Sequence, residues 1–338
     1  MRFVIVGQGI SGTMLSWHLL KKGADVTVAD EYQPNSSSHI AGGLMNPITG
    51  RRFVKTWMAD TIFPFAETVY HEMESVLNVK FLHPIPIHKI LYTTEAINDW
   101  STRCGDAQYK PYLCNELLVE LDQQFYFTKH AFEINGGFWV NSTLLLNTYR
   151  QWLKNQNRLI EGYHTWQELQ HQFPDAKIIF CNGVVSQNKN PFAALPFTPT
   201  KGEILMVEIP DFNLPAVING EITLLPTEQP HIYYAGATMH QRFDNDKPSK
   251  SGLYELKAAL DATLKVPYKV VDHLASVRPA VKDRRPLVGF HHTSKNMAIF
   301  NGLGTKGFSL SPYLASTFTD TLLEGNPILP EINVARFL

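Results

Sequence analysis

An unbroken apolar run, Phe3-Val4-Ile5-Val6, opens the chain and ends in the glycine-punctuated turn Gly7-Gln8-Gly9. Beyond it Met14, Leu15, Leu19 and Leu20 recur at helical spacing, and Gly23 closes the segment. A second strand-like run, Asp25-Val26-Thr27-Val28-Ala29-Asp30, follows at once. The pattern predicts a strand, a loop, a helix over Ile10 to Lys22 and a strand, which is a βαβ unit. Further on, Met58, Ile62, Phe65, Val69, Met73 and Val76 keep helical spacing, and Pro64 predicts a kink or restart within that helix. Leu145, Tyr149, Trp152 and Leu153 mark the buried face of another helix, capped by Asn141 or Ser142. Ala176 to Gly183 reads as a continuous apolar strand ending in glycine, as expected of a parallel strand covered on both faces.

Between these units the rhythm changes. From Phe81 to Phe138 short β-rich pieces, among them Lys89 to Thr93 and Gln124 to Thr128, are separated by polar turns. Glu203 to Ile209, Ile222 to Leu225 and His231 to Gly236 predict further strands, with a helix over Leu253, Leu256, Leu260 and Leu264. Strand, loop and helix return at Met297 to Asn301, at Gly302-Leu303-Gly304-Thr305-Lys306-Gly307 and at a helix start over Ser311-Pro312. The alternation predicts an α/β fold in two discontinuous parts. A Rossmann-like domain with a central parallel sheet takes residues 1–78, 137–198 and 276–338. An α+β substrate domain with a mostly antiparallel sheet takes residues 79–136 and 199–275.

A chain of 338 residues that is 44% apolar and 12% aromatic can bury a large core. Its 30 basic residues are matched by 31 acidic ones, which argues against a nucleic-acid footprint or a polybasic membrane surface. Cys104, Cys114 and Cys181 are odd in number and lack CxxC spacing, so neither a disulfide framework nor a metal site is expected. Only Met1 and Arg2 precede the first strand, and no apolar run approaches the ~20 residues of a membrane span, so a cytoplasmic protein is expected.

The candidate chemistry begins at the first turn. Gly7 permits a tight bend, Gly9 lets a pyrophosphate approach the backbone, and Gly12 lets the helix pack on the strand. Ile10 and Ser11 stand at the helix N-terminus, where unpaired N–H groups and the positive dipole end favour phosphate. Asp30 lies roughly 20 residues further on, where a carboxylate accepts hydrogen bonds from ribose hydroxyls. Residues 34–47, with Ser38, Ala41, Gly42, Gly43, Leu44 and Met45, are rich in small polar residues and glycine and predict an ordered loop against a second part of the same ligand. Arg51, Arg52 and Lys55 gather three cations among aromatic residues, a candidate anion site.

Several blocks, taken in order, carry a family resemblance. They are Gly7, Gly9 and Gly12; Asp30; Ser38 with Gly42-Gly43; Gly137 to Asn141; Asn182-Gly183; Lys201-Gly202-Glu203; Gly236 with Thr238; Arg278-Pro279 with Asp283 and Pro286; Gly302 to Pro312; and Arg336-Phe337. Together they resemble the D-amino-acid-oxidase-like superfamily of FAD-dependent oxidoreductases, the group that includes glycine oxidase and monomeric sarcosine oxidase. The resemblance spans nearly the whole chain. It implies non-covalent FAD, because the family's covalent attachment uses a cysteine near the C-terminal region and none of the three lies there. It places the adenosine half on Gly7 to Gly12 and Asp30, with Asn182 and Gly183 bordering the nucleotide. The flavin would lie against Gly42 to Met45, with Gly302, Gly304, Thr305, Lys306 and Gly307 near its pyrimidine edge, where Lys306 would stabilise negative charge.

The same resemblance makes Arg278 the binder of a substrate carboxylate. Two positions depart from the best-known members: Thr305 stands where glycine oxidase has a second carboxylate-binding arginine, and Ser309 where monomeric sarcosine oxidase has a carboxylate-binding lysine. Arg51, Arg52 and Lys55 are the candidate replacement cations, with the Arg51/Arg52 segment expected to share the anion with Arg278. Gly43-Leu44-Met45-Asn46-Pro47 is also similar to the oxidase domain of the bifunctional enzyme that matures the wobble uridine of tRNA, although the near-zero net charge counts against tRNA as the substrate. The implied activity is oxidation of a C–N bond in an amino acid or N-substituted glycine-like amine by hydride transfer to flavin, with oxygen a candidate acceptor. Three alternatives stay open: a flavin dehydrogenase of 2-hydroxy acids or with another acceptor, a tRNA-modification-type oxidase, and a flavin-binding module without turnover.

Overall fold

In the computed structural model, which describes residues 1–118, 124–126, 130–184, 191–214 and 216–337, the first apolar run forms the strand Arg2–Val6 inside a six-stranded sheet. The strand order is Leu159–Glu161, Asp25–Asp30, Arg2–Val6, Lys177–Phe180, Ser294–Asn301 and Leu287–His291. The first five are parallel and only the last runs against its neighbour. Because side chains alternate across a strand, Phe3 and Ile5 join one core and Val4 the other. Helices Ile10–Lys21, Ala59–Leu77 and Gly307–Glu324 supply the first core, where Met14, Ile62 and Leu314 are fully buried. Leu169, Phe192 and Val334 supply the second.

An eight-stranded sheet stands beside it, in the order Lys269–Arg278, Thr200–Glu208, Ile232–Gly236, Thr223–Pro226, Val217–Asn219, Ile87–Ile90, Ala131–Ile134 and Leu113–Leu118. Every pair is antiparallel except Val217–Asn219 with Ile87–Ile90. The helix Lys250–Thr263, capped by Ser249, buries Leu256 and Leu260 against Leu205, Val207 and Ala235 of this sheet. The fold is therefore the α/β architecture that the alternation indicates. Among the described residues no helix is long and apolar enough to cross a membrane.

Several elements depart from the apolar pattern. The helix Ala59–Leu77 runs through Pro64, and Val76, which the spacing placed on the buried side, is 54% exposed near the helix end. The last long helix begins at Gly307 instead of Ser311, with Pro312 inside it. Pro312 has no N–H for the carbonyl of Phe308, and the Tyr70 hydroxyl donates to that carbonyl at 2.7 Å in its place. Among the described residues three helices escaped the apolar count, one of them the short Ser37–Ile40 inside the segment expected as a loop. Thr94–Gly105 is capped by Thr93, and Trp166–Gln172 by a Thr165/Glu168 capping box. The strand Lys269–Arg278 was also not foreseen. Of the piece expected over Gln124 to Thr128, Phe125 makes an isolated bridge to Leu264, and residues 127 and 128 lie outside the described residues.

Candidate functional site

One cavity of ≈ 460 Å³ extends from the C-terminal ends of the parallel strands, at Val6, Asp30 and Asn301, to the eight-stranded sheet at Thr223, Tyr234, Gly236 and Arg278. The ends of parallel strands are where open α/β sheets bind ligands, because loops and helix N-termini converge there. Gly7, Gly9, Ile10 and Ser11 line the nucleotide half. Gly12 stands behind them with a steric role: a Cβ there would lie 1.9 Å from the Gly7 carbonyl oxygen. The Ile10 N–H donates to Ser38 Oγ at 3.1 Å, which ties the second loop to the helix start.

Asp30 is held by its neighbours. Its Oδ1 accepts from the Gln8 N–H at 2.9 Å, and its Oδ2 accepts from the Tyr32 N–H at 2.9 Å and from Arg150 Nη1 at 2.6 Å. Arg150 is 6% exposed, spans to Glu161 at 3.0 Å and lies over the Tyr32 ring at 5.0 Å. The sequence reading missed this arginine. Its signal was present, because Leu146, Tyr149, Arg150 and Leu153 share one buried helical face.

Asn182 and Gly183 also line the cavity, and the buried Asn182 Oδ1 has no hydrogen-bond partner among the described residues. An orphaned acceptor on the wall suits a ligand that brings a donor. Cys181 is beside it, and burial pushes its thiol well above the ordinary range, so it stays protonated.

The flavin half expected from the sequence is built by a backbone crossing. Gly43 has φ +68°, and a Cβ there would fall 1.8 Å from the Val140 carbonyl oxygen. Ala41, Gly42, Gly43 and Leu44 line the cavity, whereas Met45 is fully buried in the core behind them. Tyr234 and Leu225 close over Gly42, and the Tyr234 phenol is hydrogen-bonded to the Gly42 backbone. Gly304, Thr305 and Gly307 line the opposite side at the start of the last helix. Gly302 lies behind that wall, against Val281 and Leu287.

Arg278 reaches the cavity from the end of its strand. Its guanidinium lies over Gly202, where a Cβ would stand 2.1 Å from Nη2, and Nη1 donates to the Thr238 carbonyl at 3.2 Å. Burial lowers its pKa, with Tyr234 opposing. Among the described residues no carboxylate pairs with it. The flanking charges of the Lys201-Gly202-Glu203 block point the other way. Lys201 Nζ lies 3.0 Å from Glu203 Oε1, His273 Nε2 lies 2.9 Å from Oε2, and Ser249 Oγ donates to Oε1 at 2.7 Å. That buried network pins the cap of the helix Lys250–Thr263 to the strand carrying Gly202.

The other expected cations are not brought to the cavity. Arg51 and Arg52 are exposed on the turn between Ile48–Thr49 and Val54–Lys55. The turn is anchored by Phe53, which is 2% exposed and packs edge-on against Trp100 at 5.3 Å, leaving its neighbours in solvent. Lys55 is engaged by Asp60 Oδ2 at 2.8 Å. Lys306 is absent from the lining although Thr305 and Gly307 belong to it. Its Nζ donates to Thr56 Oγ1 at 2.9 Å and to Thr49 Oγ1 at 3.1 Å, and burial, then nearby Arg285, lowers its pKa to about 8. The Asp283 and Arg336 of the resemblance form a clasp, with Arg336 Nε 2.8 Å from Asp283 Oδ2, that fastens the C-terminal turn.

Comparison with known proteins agrees with this geometry. The family model described as DAO, FAD dependent oxidoreductase, matches residues 2–321. The chain is 22% identical over 368 residues to the bifunctional protein ThiO/ThiG of Trichormus variabilis, covering 99% of this chain and 55% of that protein. It is 24% identical over 360 residues to the tRNA 5-methylaminomethyl-2-thiouridine biosynthesis bifunctional protein MnmC of Hahella chejuensis, covering 96% of this chain and 57% of that protein. The chain thus spans little more than half the length of these curated relatives. Among solved structures, iminodiacetate oxidase from Chelativorans sp. BNC1 has the same fold, with a TM-score of 0.80, 19% identity and 97% of each chain covered.

Proposed function

The chain belongs to the DAO family of FAD-dependent oxidoreductases, and from that premise we propose that it oxidises the C–N bond of an amino acid or N-substituted glycine held through its carboxylate by Arg278. The observation that carries the reading is the unpaired state of Arg278. A guanidinium taken out of water without an acid partner is costly, and a substrate carboxylate relieves that cost with charge-assisted hydrogen bonds. Gly202, having no side chain, makes room for the guanidinium across the neighbouring strand, and Tyr234 adds a phenol on the strand beyond. The solved neighbour named as an iminodiacetate oxidase supports an amine with an acid on the adjacent carbon.

Gly7, Gly9, Ser38, Asp30 and Asn182 would hold the nucleotide half of FAD, and Gly42 to Leu44 with Gly304 to Gly307 the flavin. Bound there, FAD supplies the two-electron acceptor for the hydride of the substrate C–H. The residues' own work is orientation: Arg278 fixes the carboxylate so that the neighbouring C–H faces the cavity wall at Gly42 and Gly43. The N-terminal turn of the helix at Gly307, with the ammonium of Lys306 behind it, gives the Thr305 side a positive potential. The imine formed by loss of hydride and the amine proton then takes up water, giving a carbonyl acid and a free amine.

The test is product analysis. Holoenzyme supplied with N-substituted glycines or amino acids should release amine and carbonyl acid in equal amounts. Turnover of 2-hydroxy acids without any amine release would favour the dehydrogenase reading. The match to MnmC supports a second reading, in which the same kind of amine is carried on tRNA. Inactivity on every free amine together with turnover on such a tRNA would select it.

A further inference from the structure

A line of three polar side chains crosses the eight-stranded sheet at the edge of the cavity. Thr223 lines the cavity. Asn219 stands opposite Thr223 in the antiparallel register, and Lys89 stands beside Asn219 in the parallel one. Lys89 Nζ lies 2.9 Å from Asn219 Oδ1, and Asn219 Nδ2 lies 2.9 Å from Thr223 Oγ1. Among the described residues Lys89 has no ion-pair partner, and burial lowers its pKa to about 8, with Glu221 opposing.

The chemistry fixes the direction of this line. An ammonium only donates, so it must face the amide oxygen of Asn219. The amide NH₂ is then turned toward Thr223, whose hydroxyl oxygen becomes an acceptor. Its single proton is left without an acceptor among the described residues and is available to the cavity. Lys89 thus makes Thr223 a donor and puts a positive charge two hydrogen bonds behind it.

The distance across the sheet sets what Thr223 meets. Thr223 pairs with Gly236, and the guanidinium of Arg278 reaches Thr238, two residues beyond Gly236. With strands ~4.8 Å apart and ~3.4 Å per residue, Thr223 and Gly202, over which the Arg278 head lies, stand two strands and two residues apart, about 12 Å. Two hydrogen bonds of ~2.8 Å leave about 6 Å between the acceptor oxygens they hold. That span matches two carboxylates separated by a CH₂–NH–CH₂ bridge.

We propose that Thr223, oriented by Asn219 and Lys89, is the specificity residue for a second carboxylate on the nitrogen substituent, so that the preferred substrate class is an N-(carboxyalkyl)glycine. The assignment rests on the amine-acid reading above. Thr223 contacts the substrate; Asn219 and Lys89 are positioning residues.

The test titrates FAD-loaded protein anaerobically at low temperature with iminodiacetate and with N-ethylglycine, following the perturbation of the flavin spectrum on binding. Wild-type protein should bind iminodiacetate about tenfold or more tightly than N-ethylglycine, the ratio expected of a charge-assisted hydrogen bond. Thr223→Val and Lys89→Met should each bring that ratio close to one, whereas Lys89→Arg, which keeps a donor-only cation against Asn219, should restore most of it. FAD content shows that each variant is folded. A wild-type ratio near one, or an unchanged ratio in both Thr223→Val and Lys89→Met, would overturn the assignment while leaving the Arg278 reading intact. Failure of wild-type protein to bind either ligand would overturn the amine-acid reading and this assignment with it.

Discussion

Asp30 and Arg278 are both charged groups removed from water, and the protein settles them in opposite ways. Asp30 is satisfied by Gln8, Tyr32 and Arg150 and keeps only part of its acceptor capacity for a ligand. Among the described residues Arg278 has a single carbonyl acceptor, and it is left to be satisfied by a ligand. Asp30→Asn should therefore weaken FAD binding by about 1–3 kcal/mol, the cost of mismatched hydrogen-bonding partners, measured by flavin titration of the apoprotein. Replacement by alanine would confound that measurement by stranding Arg150. Arg278→Met should leave FAD content unchanged and lower kcat/KM on an amine acid by about 30-fold or more, corresponding to about 2–5 kcal/mol for one partner of a desolvated charge pair. Undiminished efficiency would remove Arg278 from the site. Asp30 and Arg278 were legible in the sequence because each sits in a motif with a mechanism. Arg150 was legible only as a charge on a buried helical face, without its partner, and Asn219 and Lys89 were not legible, since their roles depend on pairings between residues far apart in the chain.

At the scale of elements, glycine and proline mark where backbone meets backbone. Gly43 brings its loop against Val140, and Pro312 leaves the Phe308 carbonyl to Tyr70. Tyr70 is fully buried, so Tyr70→Phe should strand that carbonyl and lower stability by about 1–3 kcal/mol in urea unfolding, with flavin retained. A change below a few tenths would show that the helix accommodates Pro312 without the hydroxyl. The strands Arg2–Val6, Asp25–Asp30 and Lys177–Phe180 were readable because buried parallel strands are continuous apolar runs. The strand Lys269–Arg278 was not, since most of its residues are half-buried or exposed and its place is set by pairing with Thr200–Glu208. Thr94–Gly105 and Trp166–Gln172 were missed for another reason. Their signals lie in the caps, while each buries only one residue, Trp100 and Leu169 respectively. Arg51 and Arg52 show the limit of reading charge by proximity in sequence, because the adjacent Phe53 decides which way the turn faces.

For the whole molecule, the two sheets and the helices behind them must hold a cavity whose walls come from opposite ends of the chain. His18 reports on that packing: it is 7% exposed among Phe65, Lys21 and the Pro312 backbone, and burial first, then Lys21, lowers its pKa to about 4. The folded state keeps it neutral where the unfolded chain would take up a proton below its ordinary pKa of 6.5. Its contribution is therefore fully present above pH 6.5 and lost as pH falls toward 4, on the order of 3 kcal/mol across the interval. Unfolding titrations of wild type and His18→Phe should differ in pH slope over that window and run parallel above it. Parallel curves throughout would mean that His18 is not buried neutral. The central claim, a carboxylate-bearing amine anchored on Arg278 and oxidised at the flavin, is tested most directly by anaerobic reduction of the bound FAD. Wild-type holoprotein mixed with N-substituted glycines should lose its flavin colour, and Arg278→Met of equal FAD content should do so at least about 30-fold more slowly at the same subsaturating concentration. A wild-type flavin that no carboxylate-bearing amine bleaches, or one bleached equally fast in Arg278→Met, would contradict it.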